Sequence, residues 1–170
     1  MIPKEMPKMW KDYMGADIDD PDERRDCIHY LKGDPQDVFA WIAKNDPEYF
    51  VRSEAIEKLT IQSVLEDIVK NAETDSERAA AAYRIKNGNL LCEIIKKKKE
   101  SQDVRKSAIL ALDSEKWENF FLEIIKNKEE LLILRATAFQ KYNLEKREKL
   151  YDEKELENVT ELHGRMFYDD

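Results

Sequence analysis

The chain has 170 residues, of which 42% are hydrophobic and 39% charged, and its formal net charge at pH 7 is −8. This apolar share is large enough to build a core, so the composition excludes wholesale disorder and suits a single domain of 1–170. The net acidity argues against a nucleic-acid-binding protein, which needs a basic face to displace counterions.

Scarce helix breakers predict an all-α protein. Glycine occurs four times, and all five prolines lie at or before Pro47. No apolar run approaches the about 20 residues of a membrane-spanning helix, and the amino-terminal sequence lacks the features of a secretory signal. Cys27 and Cys92 are too few for a disulfide framework. We therefore expect a cytoplasmic protein that does not enter a membrane.

The amino-terminal segment, residues 1–21, is expected to cap the rest of the fold. Met9, Trp10, Tyr13 and Met14 follow the i, i+1, i+4, i+5 spacing of one helix face. A short helix with this face would cover the otherwise bare end of the structure.

Residues 22–145 contain an internal repeat, each copy headed by an arginine. Small, large and large apolar residues follow the arginine at offsets +3, +4 and +7, which is the spacing of one helix face. The spacings between the arginines are 28, 26, 27 and 30 residues. The five arginines are Arg24, Arg52, Arg78, Arg105 and Arg135.

Each copy also carries a second apolar stripe, as in Val64, Leu65, Ile68 and Val69. Each copy is thus predicted to be a helical hairpin. Two helices of about 10–12 residues cannot bury their apolar faces alone, whereas stacked pairs share one continuous core. The predicted fold is an α-solenoid of about five stacked hairpins that curves as a right-handed superhelix.

The segment from Asp103, Val104 and Arg105 to Leu112 resembles HEAT repeats, especially the short-period HEAT-like units of bilin lyases. The usual HEAT unit has about 40–47 residues, so this repeat is a compressed variant. The resemblance implies that the repeated arginines pair with acidic groups of neighbouring units. The expected acidic partners are Asp22, Asp75 and Asp103.

Residues 146–170 are expected to form the last helix, or a cap, and a tail. The polar stretch between Asp152 and Leu162 would cover the end of the last unit and discourage end-to-end stacking. The partner helix of the fifth repeat is placed only broadly, between Glu145 and Leu162.

The sequence offers no catalytic residue, metal site or cofactor motif. The two histidines, His29 and His163, are interpreted as an exposed helix residue and a residue near the chain end. Trp41 and Trp117 fall in apolar stripes, which favours core packing over a role in a nucleic-acid groove. The basic run from Lys96 to Glu100 is interpreted as a solvated loop after a helix.

We therefore expect a monomeric, non-enzymatic protein-protein interaction module or scaffold that binds another protein on the concave face of its second helices. An acidic inhibitor or immunity-type protein is one specific version. The alternatives are a HEAT-like nucleic-acid-binding or DNA glycosylase-like protein and a lyase-type or chaperone-type helper for a cofactor. The candidate partner-binding residues are Glu66, Asp67, Lys70, Glu93, Lys97, Glu118 and Glu123.

Overall fold

A computed structural model describes residues 20–142, and all regular structure in this range is α-helical. The all-α prediction is confirmed for this range. The expected helix within residues 1–19, the tail 146–170 and His163 lie outside the described residues. The helices are α1 Pro21–Tyr30, α2 Gln36–Asn45, α3 Tyr49–Lys58, α4 Gln62–Asn71, α5 Asp75–Arg84, α6 Gly88–Lys96, α7 Gln102–Ala111, α8 Glu118–Lys126 and α9 Leu132–Lys141.

The chain divides between Ala111 and Leu112 into two compact units. The first unit contains α1 to α7, and the second contains α8 and α9. A single domain over 1–170 stays a prediction.

Two kinds of helix contact order the first unit. The helices α1, α3, α5 and α7, each with a repeated arginine near its start, are the arginine helices. Each arginine helix packs against the next one, so the four form a row. Each second helix packs against the arginine helix that follows it, joining α2 to α3, α4 to α5 and α6 to α7. Each of these second helices therefore packs mainly against the arginine helix that follows it. The sequence pattern predicts a hairpin with the arginine helix that precedes it.

The first apolar stripe lies in the core as predicted. Ala55, Ala81 and Ala108, which occupy the +3 position of three copies, are all fully buried. Their small side chains let the arginine helices approach closely. Cys27, at the same position in α1, is only half-buried.

The second stripe is buried as well. In α4, Val64, Leu65, Ile68 and Val69 are all less than one-tenth exposed. The corresponding stripe of α8 is shorter, because Trp117 precedes that helix as its N-cap and is half-buried. Phe121 is the largest fully buried side chain of the described residues.

Side-chain caps fix several helix starts. The Asp20 carboxylate accepts a hydrogen bond of 2.8 Å from the Asp22 backbone N–H, so Asp22 lies inside α1 rather than at its cap. The Thr74 side chain caps α5 by accepting a hydrogen bond from the Glu77 backbone N–H. Asp46 ends α2. Between α1 and α2 the chain turns at Gly33, whose φ of +79° favours glycine.

The repeated arginines of α1, α3 and α5 form ion pairs with carboxylates that lie 22 to 25 residues later in the chain. Arg24 binds both carboxylate oxygens of Asp46 at 3.0 Å, and this pair is buried. Arg52 binds Glu77 at 2.7 and 3.2 Å. In the third pair, Arg78 Nε is 3.3 Å from a Glu100 oxygen.

These pairs confirm that repeated arginines bind acidic groups in series, as an arginine ladder. The acidic residues are not the expected ones. Asp22 lies 3.1 Å from Arg25 in its own helix, and Asp75 pairs with Arg78 of its own helix. Asp103 is exposed in the first turn of α7. The carboxylates that bind Arg24, Arg52 and Arg78 across the larger sequence separations are instead Asp46, Glu77 and Glu100.

The same arginines also bind the carboxyl end of the preceding second helix. Arg52 donates to the Asp46 carbonyl at 2.8 Å, and Arg78 donates to the Ala72 carbonyl at 2.9 Å. Arg105 and Arg135 donate from Nε to carbonyls ten residues earlier, at 2.7 and 3.0 Å. The arginine therefore satisfies carbonyls that a helix end leaves without intrahelical partners, in both units of the chain.

A repeated glutamine holds the opposite ends of the copies together. Gln36, at the start of α2, donates to the Lys58 carbonyl at 3.0 Å and accepts from the Thr60 N–H at 2.6 Å. Gln62, at the start of α4, makes the same two contacts with the Arg84 carbonyl and the Lys86 N–H, at 3.3 and 2.8 Å. One amide side chain thus ties α2, and another α4, to the turn that ends the following arginine helix.

Candidate protein-binding surface

The candidate residues of the first unit lie on or next to α4 and α6. Glu66, Asp67 and Lys70 are on α4, Glu93 is on α6, and Lys97 follows α6 directly. The exposed or half-exposed groups of α2, α4 and α6 are called here the second-helix surface. Its charged members considered below are Lys44, Glu66, Asp67, Lys70, Glu93 and Lys97.

Asp67 is already engaged within the chain. It forms an ion pair with Lys44 of α2 and accepts a hydrogen bond of 2.7 Å from Asn71. The hydrogen bonds from Lys44 and Asn71 hold the pKa of Asp67 below its ordinary value. A partner that approaches Asp67 would therefore meet a carboxylate whose charge is partly balanced.

Glu66 and Lys97 also have partners in the chain. A Glu66 oxygen accepts a hydrogen bond of 3.3 Å from Asn87, the N-cap of α6. Lys97 Nζ lies 3.3 Å from Glu100, in the predicted exposed loop after α6. The contact of Glu66 with Asn87 depends on how α4 and the start of α6 meet, which the sequence spacing does not reveal, whereas Lys97 and Glu100 are three residues apart in one loop.

Lysine recurs in the last turn of each second helix. The positive charge there is favourable, because a helix end carries partial negative charge. The sequence indicates these recurring lysines, since Lys-Asn occurs at 44–45, 70–71 and 126–127. The arginine-based repeat did not identify Lys44. The four lysines are Lys44, Lys70, Lys96 and Lys126.

Lys70 and Glu93 occupy the positions, one copy later, of the paired Lys44 and Asp67. Both spacings are 23 residues, yet in residues 20–142 no ion pair or hydrogen bond engages the Lys70 or Glu93 side chain. Both side chains are exposed. The nearby Lys70 charge contributes only a coulombic lowering of the pKa of Asp67. These two groups are the candidate residues of the first unit that remain open to a partner.

The second unit holds the remaining candidate residues. Glu118, at the start of α8, accepts a hydrogen bond of 2.5 Å from the Tyr142 hydroxyl. The Phe121 and Tyr142 rings lie 6.3 Å apart. This ring contact and the hydrogen bond to Glu118 together hold the end of α9 against α8. Glu123 is exposed on α8.

A polar cleft of about 340 Å³ opens beside the paired charges of α2 and α4. Its walls hold two cationic and three anionic side chains, with Ala43, Ile68 and Ala72 between them. The charged side chains are Lys44, Arg52, Asp67, Glu73 and Glu77. The cleft suits a polar or cationic group of a partner better than an apolar ligand.

Glu77 is a buried carboxylate that lines this cleft. Burial raises its pKa, but the hydrogen bonds from Arg52 and Thr74 outweigh burial and leave the pKa below its ordinary value. The hydrogen bond with Glu77 raises the pKa of Arg52 in turn. The Arg52 and Glu77 pair is therefore ionised at neutral pH.

Trp41 and His29, considered in the sequence, lie on α2 and α1. Trp41 is half-buried, and its indole N–H is shielded from solvent without an acceptor among residues 20–142. His29 is exposed, with Nε2 3.2 Å from a Glu54 oxygen.

Within 20–142, no cluster of three or more His, Cys, Asp or Glu residues is placed to hold a metal ion. None of the helices described there has the length and apolar character needed to span a bilayer.

Comparisons of the chain with protein-family models, with curated proteins and with solved structures find no significant match.

Proposed function

We propose that the chain is a non-enzymatic protein-binding module, built as a short HEAT-like α-solenoid of about five hairpins in a right-handed superhelix. Its partner is a charged protein that contacts the second-helix surface. Lys70 of α4 and Glu93 of α6 are the central contact residues.

The repeated use of the same contacts supports the repeat architecture. Arg52 and Arg78 both bind a carboxylate that lies 22 to 25 residues later in the chain and a carbonyl at the end of the preceding helix. Gln36 and Gln62 share a second pattern of contacts. Stacked repeats with nearest-neighbour contacts offer extended surfaces for binding.

The observation that carries the functional proposal is the open pair of charges on α4 and α6. The equivalent charges one copy earlier, Lys44 and Asp67, bind each other, whereas Lys70 and Glu93 are exposed. Exposed charges of opposite sign recognise a partner with complementary charges, and they set specificity and association rate more than affinity.

The test is a comparison of three forms of the full-length chain as bait in lysate from its native cell. The first form is unchanged, and the second carries Lys70→Glu with Glu93→Lys. The third carries Glu115→Lys with Lys116→Glu, which reverses two exposed charges of the turn before α8. Both double variants keep the net charge of −8, so nonspecific electrostatic capture stays matched.

The proposal predicts a protein retained by the unchanged chain and by the turn variant but lost from the Lys70 and Glu93 variant. Quantitative mass spectrometry of the retained proteins measures this difference. Equal retention by all three forms, or no protein retained above the level of an empty resin, contradicts the proposal.

A further inference from the structure

The outward side of α5 differs from the other arginine helices. Ala81 and Ala82 are fully buried and belong to the core, but Ala79 and Ala80 are half-exposed. Glu54 of α3 and Ser107 of α7 occupy the position equivalent to Ala80 in the neighbouring helices. The core does not require alanine at 79 and 80, because these two side chains face away from it.

The short side chains leave a trough of about 420 Å³ on this side of α5. The helices α3, α5 and α7 all contribute to it. Its lining residues are Glu57, Ala79, Ala80, Tyr83, Arg84 and Ser107.

An aromatic ring and a carboxylate line this trough. Tyr83 is 58% exposed, which is unusual for a large aromatic side chain. Glu57 is exposed, and no hydrogen bond or ion pair engages its side chain within residues 20–142. Glu57 also lies in the last turn of α3, where the negative end of the helix disfavours a carboxylate and favours a cation.

The cation already present in the lining is held elsewhere. Arg84 donates from Nε to the Leu59 carbonyl at 2.9 Å, at the end of α3. No ion pair joins Arg84 to Glu57 among the described residues. The guanidinium of Arg84 therefore stabilises the end of α3 and leaves the Glu57 carboxylate unbalanced.

We propose that this trough is a docking site for an arginine side chain of a protein partner. A planar guanidinium stacks on an exposed aromatic ring and donates hydrogen bonds to a carboxylate at the same time. The alanine floor leaves room for the aliphatic part of the arginine. The site lies on the arginine helices, so it is a second contact surface, apart from Lys70 and Glu93.

The test is a titration of the full-length, ¹⁵N-labelled chain with the peptide acetyl-Gly-Arg-Gly-amide, followed by amide chemical shifts. The matched control peptide carries citrulline, which has nearly the same shape as arginine but no charge. We expect saturable shifts at Ala79, Ala80, Tyr83 and Ser107 with the arginine peptide, and none at the same concentrations of the citrulline peptide.

Variants of the chain locate the binding. Tyr83→Ala is expected to weaken arginine binding about five-fold, the equivalent of an exposed cation–π contact, and Glu57→Gln to weaken it as well. Ala80→Gln fills the trough and is expected to abolish the shifts. Tyr49→Ala removes a similarly exposed tyrosine, 54% exposed and outside the trough lining, and should leave binding unchanged.

Three results would overturn this assignment: equal shifts with the citrulline peptide, saturation at residues outside the trough, or undiminished binding by the Ala80→Gln variant. The double variant Lys70→Glu with Glu93→Lys should bind the arginine peptide normally. Loss of the lysate partner and loss of arginine binding are therefore separate outcomes.

Discussion

Arg24 and Arg25 are neighbours in α1 with opposite environments. The Arg24 guanidinium is buried against Asp46, whose side chain is only 3% exposed. Arg25 binds Asp22 and Asp26 at the surface, where its side chain is 40% exposed. Removing one partner of a buried ion pair leaves an uncompensated charge, whereas a surface pair contributes little.

We therefore predict that Arg24→Ala lowers the free energy of unfolding by about 3–5 kcal/mol. The matched variant Arg25→Ala should change it by less than about 1 kcal/mol. Urea unfolding followed by circular dichroism measures both values. Similar losses of unfolding free energy in the two variants would contradict a special stabilising role of the buried pair of Arg24 and Asp46.

The pair of Arg52 and Glu77 predicts a specific pH dependence. The pKa of Glu77 is lower in the folded chain than its ordinary 4.5. Its contribution to stability is therefore full above the unfolded pKa and is lost as the pH falls through the folded pKa. The difference in unfolding free energy between the native chain and Glu77→Gln should be constant near neutral pH and shrink in acid.

Glu93→Gln is the control for this experiment, because Glu93 is exposed and unpaired within the described residues. Its difference from the native chain should stay near zero from neutral pH into acid. A Glu77→Gln difference that is equally flat across the same range would be evidence against the ionised pair.

The sequence predicts residues of the core better than residues of the ladder. The +3, +4 and +7 spacing located Ala55, Ile56 and Leu59, all fully buried, because burial follows helix periodicity. The acidic partners depend on which side chains meet between neighbouring helices. Asp46 and Glu100 each stand 22 residues after their arginines, whereas Glu77 stands 25 residues after Arg52, so no single spacing identifies all three.

At the scale of the helix, α5 separates two roles of alanine. Ala81 is fully buried against neighbouring helices, and Ala80 faces the trough. Ala81→Leu should lower the free energy of unfolding by about 1–3 kcal/mol through overpacking, whereas Ala80→Leu should change it by less than about 0.5 kcal/mol. Urea unfolding compares the two, and equal effects would contradict the assigned orientation of α5.

The repeated glutamine gives a second prediction at this scale. Gln62→Ala removes both hydrogen bonds to the turn after α5 and should cost about 1–2 kcal/mol of stability. Gln102, exposed at the start of α7, is the matched control, and its replacement by alanine should have little effect. Urea midpoints measure the difference, and an unchanged midpoint for Gln62→Ala would mean that water replaces these contacts without loss.

The helix pattern also shows where sequence reasoning stops. Periodicity located the apolar faces of α4 and α6, so the outward position of Lys70 and Glu93 was predictable. It did not reveal that Lys44 neutralises Asp67 or that Asn87 binds Glu66, since both contacts join different helices. The trough was not predicted either, because four consecutive alanines in α5 read as a strong helix former.

At the scale of the whole molecule, the central claim is that equivalent copies stack through contacts between nearest neighbours. Such a chain should tolerate the removal of one whole copy, because the remaining copies meet through the same contacts. Deleting residues 52–77 joins Val51 to Arg78, so Arg78 takes the place of Arg52 beside the carboxyl end of α2. Deleting residues 65–77 removes half a copy and joins Val64 to Arg78, which puts the helices out of register.

Urea unfolding of these two deletion variants, followed by circular dichroism, tests the claim most directly. We predict that the chain without 52–77 stays helical and unfolds cooperatively, with a smaller m-value because less surface is exposed on unfolding. The chain without 65–77 should lose cooperative unfolding. Loss of cooperativity in both variants would contradict the stacking of equivalent copies.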